Sequence, residues 1–458
     1  MGLRIANLSA FLLLIPAACH CTPLDEGVRE AYFAGDYGSA HSKIGDLSDG
    51  DASNAHLWGL EQGLIELADG RLNDSARSLN AAREGVVAHN PYAYGTWSDP
   101  ATILDQASAT LKDDRSLPYE GRDYEQLMMY SILTLVELLR GGGDAVPNAY
   151  QGQDKLLTSF PEYEDPSGER PKTQYHPVAF GDYLYAAFRE ESATHIDTAR
   201  RTYARFLEME PDYRFGQDDR DRLEGKTRRD PEAGVLYVLP FVGRGPMIEE
   251  NVLQQPTAAA LAWLELIWSN RQGKGTLPIL QDIKVPRLVL HEEDIGSIEV
   301  SVDGNVFGST ATITDVNRCA QAEFKAMYDT IVLRATVRRL VKILVKEGSK
   351  ALAGDHKEYS WVDLGVDVLA NLWVAAECAD LRCWSLLPSK VQALRIEVPP
   401  GDHEISLSAL DSGGRPLGTR RSTQVRIARG LHSYLFGVFS DSQTASDLVS
   451  SSPATVLE

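Results

Sequence analysis

Between residues 24 and 230 apolar positions recur every three to four residues with few β-branched alternations, which predicts a helical front half. From Val235 the pattern changes to short alternating or fully apolar runs separated by turn residues. Strands are expected at 235–242, 287–291, 297–302 (with Asp303-Gly304 as a hairpin turn), 310–313, 393–398, 403–409, 423–428 and 433–439. Helices at 258–268, 320–348 and 361–378 interrupt them, so the back half reads as α+β and not as repeated βαβ units.

The front half carries a faint period. Gly35-Asp36-Tyr37 is followed by Ala40, Ile44 and Leu47, and Gly70-Arg71-Leu72 by Ser75, Leu79 and Ala82, with the two glycines 35 positions apart. A third unit runs from Asp182 to Pro211 through Tyr183, Ala187, Ala199, Tyr203 and Phe206. Spacing and residue types are similar to tetratricopeptide (TPR) units, in which small residues let paired helices approach and aromatic residues fill the groove between repeats. A further helix at 124–140 ends at Gly141-Gly142-Gly143, another helical stretch follows at 149–157, and 161–177 is rich in loop formers.

These patterns divide the chain into a leader (1–18), a TPR-like helical domain (19–234), an α+β domain with a small β-sandwich-like end (235–440) and a flexible tail (441–458). The charge-dense stretch 218–232 is expected to be the linker between the halves.

Charge narrows the partners. The net charge is -20, and residues 1–234 hold 39 acidic against 23 basic side chains, so phosphate backbones are repelled and nucleic acid is not expected as a partner. The leader has Arg4, an apolar stretch from Ala6 to Ile15, then Ala17 and Ala18 before Cys19, the pattern of an export signal. Its end, Ile15-Pro16-Ala17-Ala18-Cys19, resembles a bacterial lipobox, although Pro16 stands where an aliphatic residue is usual. The resemblance implies lipidation of Cys19, and His20 after it implies outer-membrane delivery.

Three cysteines remain in the body of the chain, Cys319, Cys378 and Cys383. Cys378 and Cys383 are close enough to pair across a turn, and buried free thiols are the alternative. Signals for catalysis are absent. Gly273-Lys274 lacks a phosphate-loop context, there is no nucleophile elbow or His-Glu-x-x-His helix, and neither cofactor nor metal is expected. His291 with Glu292, Glu293 and Asp294 reads as a solvated strand end. Trp263, Trp268, Trp361 and Trp373 read as core packing, with a sugar-stacking surface as the alternative.

Arg334, Arg338, Lys342 and Lys346 lie four apart on one helix, a candidate docking stripe that would face solvent and scattered acids, the acidic helical half of the same chain, or anionic lipid or cell-wall polymer, with the contact to the helical half as the version to test.

Four stretches in this order resemble an uncharacterised family of bacterial TPR-containing envelope lipoproteins. They are the unit at 182–211, "LYVLPFVGRGPMIEE" at 236–250, the basic helix around 334–346, and "ADLRCWSLLPSKVQALRIEVPPGDHEISL" at 379–407. In the last stretch the family pattern reads Asp-Thr-Arg-Ser-Trp, which this chain keeps only in part. The resemblance implies a periplasm-facing lipoprotein without assigned catalysis, whose genes often neighbour those of lipoprotein activators of peptidoglycan synthases.

The expected function is therefore a non-enzymatic scaffold that binds an envelope protein through a concave repeat surface. The alternative is a glycan-binding module or an envelope enzyme with its site in the α+β half.

Overall fold

The computed structural model describes residues 26–50, 54–88, 119, 121–159, 178–226, 230, 232–258, 260–262, 265, 280, 282–352 and 379–451. The chain is α+β, with nine α-helices and all eleven strands described on opposite sides of residue 230, and one long helix among the strands.

The front half is a series of packed helix pairs: α1 (Glu26–Phe33) with α2 (Tyr37–Gly50), α3 (Ala55–Ala68) with α4 (Leu72–Ala88), α5 (Asp123–Leu139) with α6 (Ala145–Ser159), and α7 (Phe180–Glu190) with α8 (Ile196–Met209). A short α9 (Gly216–Leu223) follows. The two glycines 35 positions apart end α1 and α3 in the same way. Gly35 and Gly70 have φ of 79° and 74°. In the first turn the N–H of Gly35 bonds Tyr32 O and that of Asp36 bonds Ala31 O; in the second, Gly70 bonds Leu67 O and Arg71 bonds Glu66 O. Each is a Schellman cap, which needs a left-handed residue and so favours glycine. Gly141 closes α5 by the same pair of bonds.

Helices α3 and α5 are buried differently from the even-numbered helices. Sixteen of seventeen α5 residues and ten of fourteen α3 residues are buried, whereas α2, α4, α6 and α8 bury one stripe. A helix buried all round has neighbours on both sides. The second layer of neighbours is a sheet.

That sheet has five strands in the order β11 (Val449–Ser450), β10 (His432–Phe439), β1 (Gly234–Val242), β7 (Lys390–Val398) and β6 (Ala311–Asp315). β1 is central, parallel to β10 and antiparallel to β7. Its side chains alternate between two cores. Val235, Tyr237, Leu239 and Phe241 join the core of the helices, while Leu236, Val238 and Val242 join a second core. The second core lies under an antiparallel sheet ordered β5 (Asn305–Ser309), β4 (Ser297–Val302), β8 (Gly401–Leu410) and β9 (Pro416–Ile427). The layers are thus helices, five strands, four strands. Beside them β2 (Met247–Leu253) pairs with β3 (Ile283–Val289), and the long α10 (Val316–Leu352) packs on β3.

Several expectations change. β2 lies where only a turn was read, β3 begins four residues earlier than expected, and α10 starts at Val316 directly after β6. The C-terminal strands do not pair among themselves alone: β7 and β10 flank β1, while β8 and β9 extend from β4. Residues 441–451 are held on the sheet. β11 pairs with β10, Ala445, Ser446 and Ser451 are buried, and Ser446 N–H bonds Val438 O at 2.8 Å. The remainder of the expected tail, 452–458, lies outside the described residues, as do the leader, residues 161–177, and all but a few residues of the helix expected at 258–268 and the whole of 361–378.

The charge-dense stretch is partly structural. Arg222 of α9 is 10% exposed and pairs with Glu190, so this part of the expected linker belongs to the junction between helices and sheet.

Candidate functional site

The stretch 379–389, which holds the Asp-Leu-Arg-Cys-Trp sequence, has no regular structure and is buried over most of its length. Extended backbone without a ladder must find partners elsewhere. They come from two buried carboxylates on inner helices. Glu61 of α3 accepts the N–H of Ser385 at 2.8 Å, its hydroxyl at 3.0 Å and the N–H of Leu386 at 3.2 Å. Glu125 of α5 accepts the N–H of Trp384 at 2.9 Å and that of Arg122 at 2.8 Å. The Trp384 side chain is fully buried. Arg382 grips Asp380 with two bonds of 2.9 Å and reaches Asn54 Oδ1 at 3.0 Å. Burial opposes ionisation of Asp380, but the Arg382 guanidinium and N–H outweigh it and hold the carboxyl below its usual range. This strap and the sheet cover the inner helices.

A second polar cluster lies where β1 ends. His291 is half-buried with Nε2 2.8 Å from Arg29 Nη2. Burial, then Arg29 and Arg244, push its pKa down, so the neutral ring accepts from the guanidinium. Glu293 accepts the N–H of Arg244 at 3.0 Å, and burial raises its carboxyl. Two members of the sequence expected as a solvated strand end therefore face inward. Among the described residues no group of three His, Cys, Asp or Glu is placed to hold a metal ion.

An open groove of about 360 Å³ lies between β3 and α10. Arg287, Leu288 and Leu290 form one wall, and Gln321, Phe324, Lys325, Tyr328 and Asp329 form the other at helical spacing. Phe324 and Tyr328 are tilted against each other with centroids 5.9 Å apart.

Compared with known proteins, the chain matches no family model, no curated protein and no solved structure.

Few of the residues singled out from sequence fall among the described ones. Arg338 is half-buried on α10, while the side chains of Arg334, Lys342 and Lys346 lie outside the described ones. Cys383 and Cys319 are buried, and Cys378 lies outside the described residues, as do Cys19, Gly273-Lys274 and the four tryptophans considered for stacking. Sequence reading missed Glu61 and Glu125. For Glu61 the signal was an acid closing the apolar run Leu57-Trp58-Gly59-Leu60, whereas Glu125, between Arg122-Asp123-Tyr124 and Gln126, carried none.

Proposed function

We propose that this chain is a non-enzymatic, lipid-anchored, periplasm-facing scaffold that binds a protein partner in cell-envelope biogenesis. The observation that carries this reading is the repeated helix pair: α1–α2 and α3–α4 share one offset and one Schellman cap, as expected of a TPR-like array, whose usual use is protein binding. Two sheets with a common core, as in a β-sandwich, close the inner face of that array, so the partner would dock on outer surfaces. Anchoring through Cys19 rests on the lipobox resemblance.

The test has two parts. Wild type should partition into detergent with membranes and a Cys19→Ser protein should not; equal solubility removes the anchor. Site-specific crosslinking of the anchored protein in intact cells should give discrete protein adducts; their absence at every exposed position tried removes the scaffold reading.

The groove between β3 and α10 favours a second reading, a glycan-binding module, because two half-exposed aromatic rings are flanked by Arg287, Gln321, Lys325 and Asp329. Binding to isolated sacculi that is lost in Tyr328→Ala would support it over the first.

A further inference from the structure

The hairpin of β4 and β5 ends in Asp303 and Gly304, both with positive φ (49° and 81°), the pair of conformations a two-residue type I′ turn requires. The turn is fastened to β8. Asp303 Oδ2 lies 2.7 Å from His403 Nδ1, Asp303 Oδ1 accepts the N–H of Glu404 at 3.0 Å, and the N–H of Asp303 bonds Glu404 O at 2.9 Å. This is a rigid edge.

Its register contains one irregularity. Ser301 faces Val306 and Val300 faces Gly308, so Phe307 has no counterpart on β4 and forms a bulge. Regular strands send successive side chains to opposite faces, and a bulge breaks that rule and re-aims a residue. Val306 is 62% exposed and Phe307 46%, which makes them the two most exposed large apolar side chains among the described residues. The other edge of the same sheet shows the usual protection, since β9 carries Pro416 and Arg420, Arg421 and Arg426. Asn305 to Ser309 carries no charge at all.

Acidic side chains outnumber basic ones around the pair, where Arg214, which reaches β5, is committed to Ser309 O and Oγ. Asp303, Asp402 and Glu404 are exposed, and Glu299 is half-buried on the strand beside β5. Such a rim repels anionic lipid headgroups, and a charge of -20 per chain disfavours a second copy. The bulge also interrupts the ladder on which an added strand would have to pair.

We infer that Val306 and Phe307 are the apolar anchor of a protein-docking surface, and that the partner offers an apolar pocket rimmed by lysine or arginine. This rests on the protein-binding reading above and places the contact on the β4–β5 hairpin. A small apolar centre with a charged rim is the usual anatomy of a binding hot spot, and a tip held by three bonds loses little freedom on docking.

The experiment uses the full anchored chain with the photo-crosslinker p-benzoylphenylalanine replacing Phe307, and in a second version Gln424 on the opposite edge, both irradiated in intact cells. The expected result is a discrete protein adduct at 307, reduced about tenfold or more by a Val306→Asp substitution and absent at 424. Peptide mapping should put the contact in an apolar patch flanked by basic residues. Thermal melting of Val306→Asp should match wild type, because the side chain is exposed. Should its melting point fall, Val306→Ser serves as the second variant. Adducts at 424 or on the outer helices, but not at 307, overturn this inference and leave the scaffold reading intact. Adducts at 307 only with lipid or a second copy overturn it as well, and no adduct at any position overturns both.

Discussion

Arg222 and Glu190 meet edge to edge, with Nε–Oε1 and Nη2–Oε2 both at 2.9 Å, at the junction where α9 and α7 reach the central sheet. The two side chains are 10% and 2% exposed, Tyr237 of β1 donates to the same carboxylate at 3.1 Å, and Arg395 of β7 lies 3.6 Å from it. Removing one partner of a buried pair costs about 3–5 kcal/mol where the other is left alone, and Tyr237 and Arg395 beside Glu190 put this case at the low end. Arg222→Met should therefore lower unfolding stability by about that amount, and Arg222→Met with Glu190→Gln by less than the sum. Equilibrium urea denaturation of the set measures this. Additive losses would mean the contact carries no coupling.

The same junction bears on cleavage. A simple linker at 218–232 would let proteases cut there and release two folded fragments. Tyr237, Phe241 and Phe436 pack into the core of the helices, with Phe180 and Phe241 in edge contact at 5.9 Å. A chain nicked by trypsin at Arg228 or Arg229 should consequently elute as one particle in size exclusion and separate only in denaturant. Fragments that part under native conditions would refute the shared core.

Stability should also depend on pH through Glu323 of α10. Its carboxyl accepts the N–H groups of Asp123 and Tyr124 at the start of α5, both at 3.1 Å. Burial, with Asp123 adding repulsion, pushes its pKa from 4.5 up to about 8. Between those values the folded state holds a proton that the unfolded chain has lost. Folding stability should then be full below pH 4.5 as far as this group is concerned, fall as pH rises towards 8, and level off above. Glu323→Gln should flatten that slope in denaturation series from pH 5 to 8, and an unchanged slope would exclude Glu323 as its source.

A fourth expectation concerns close packing. A Cβ on Gly63 would stand 2.5 Å from Leu79 Cγ, and one on Gly59 would stand 3.1 Å from Ala82 Cβ, so glycines of the first helix, and not only small residues of the second, set the approach of α3 to α4. Gly63→Ala should destabilise by about 1–3 kcal/mol despite the better helix propensity of alanine. Gly45→Ala, which meets nothing within 4 Å, should be neutral or slightly stabilising. The melting points of the two variants decide it.

What sequence could reveal follows from the range of the forces involved. The period marked by Gly35 and Gly70 was legible because each glycine serves a local left-handed turn and its hydrogen bonds. Asp303-Gly304 was legible for the same reason. The role of β1 was hidden because both its faces are buried, so its nine residues show no alternation to separate one core from the other. The strap at 382–387 was hidden too. It has no periodicity, and its partners, Glu61 and Glu125, are more than 250 positions away. The bulge at Phe307 left no mark in composition and shows only in the register with β4.

The parallel pairing of β1 with β10 sets the order in which this molecule can assemble. Val235 meets His432 about 200 positions later in the chain, and β1 meets its other neighbour, β7, only after some 150. Contacts so far apart must wait for long loops to close, which slows folding. Until β10 exists, the apolar flank that the helices turn toward the sheet has no cover, and a truncated or half-made chain presents it to solvent. A protein built this way is completed by its last strands, and its early helices depend on a holding factor or on speed until those strands arrive.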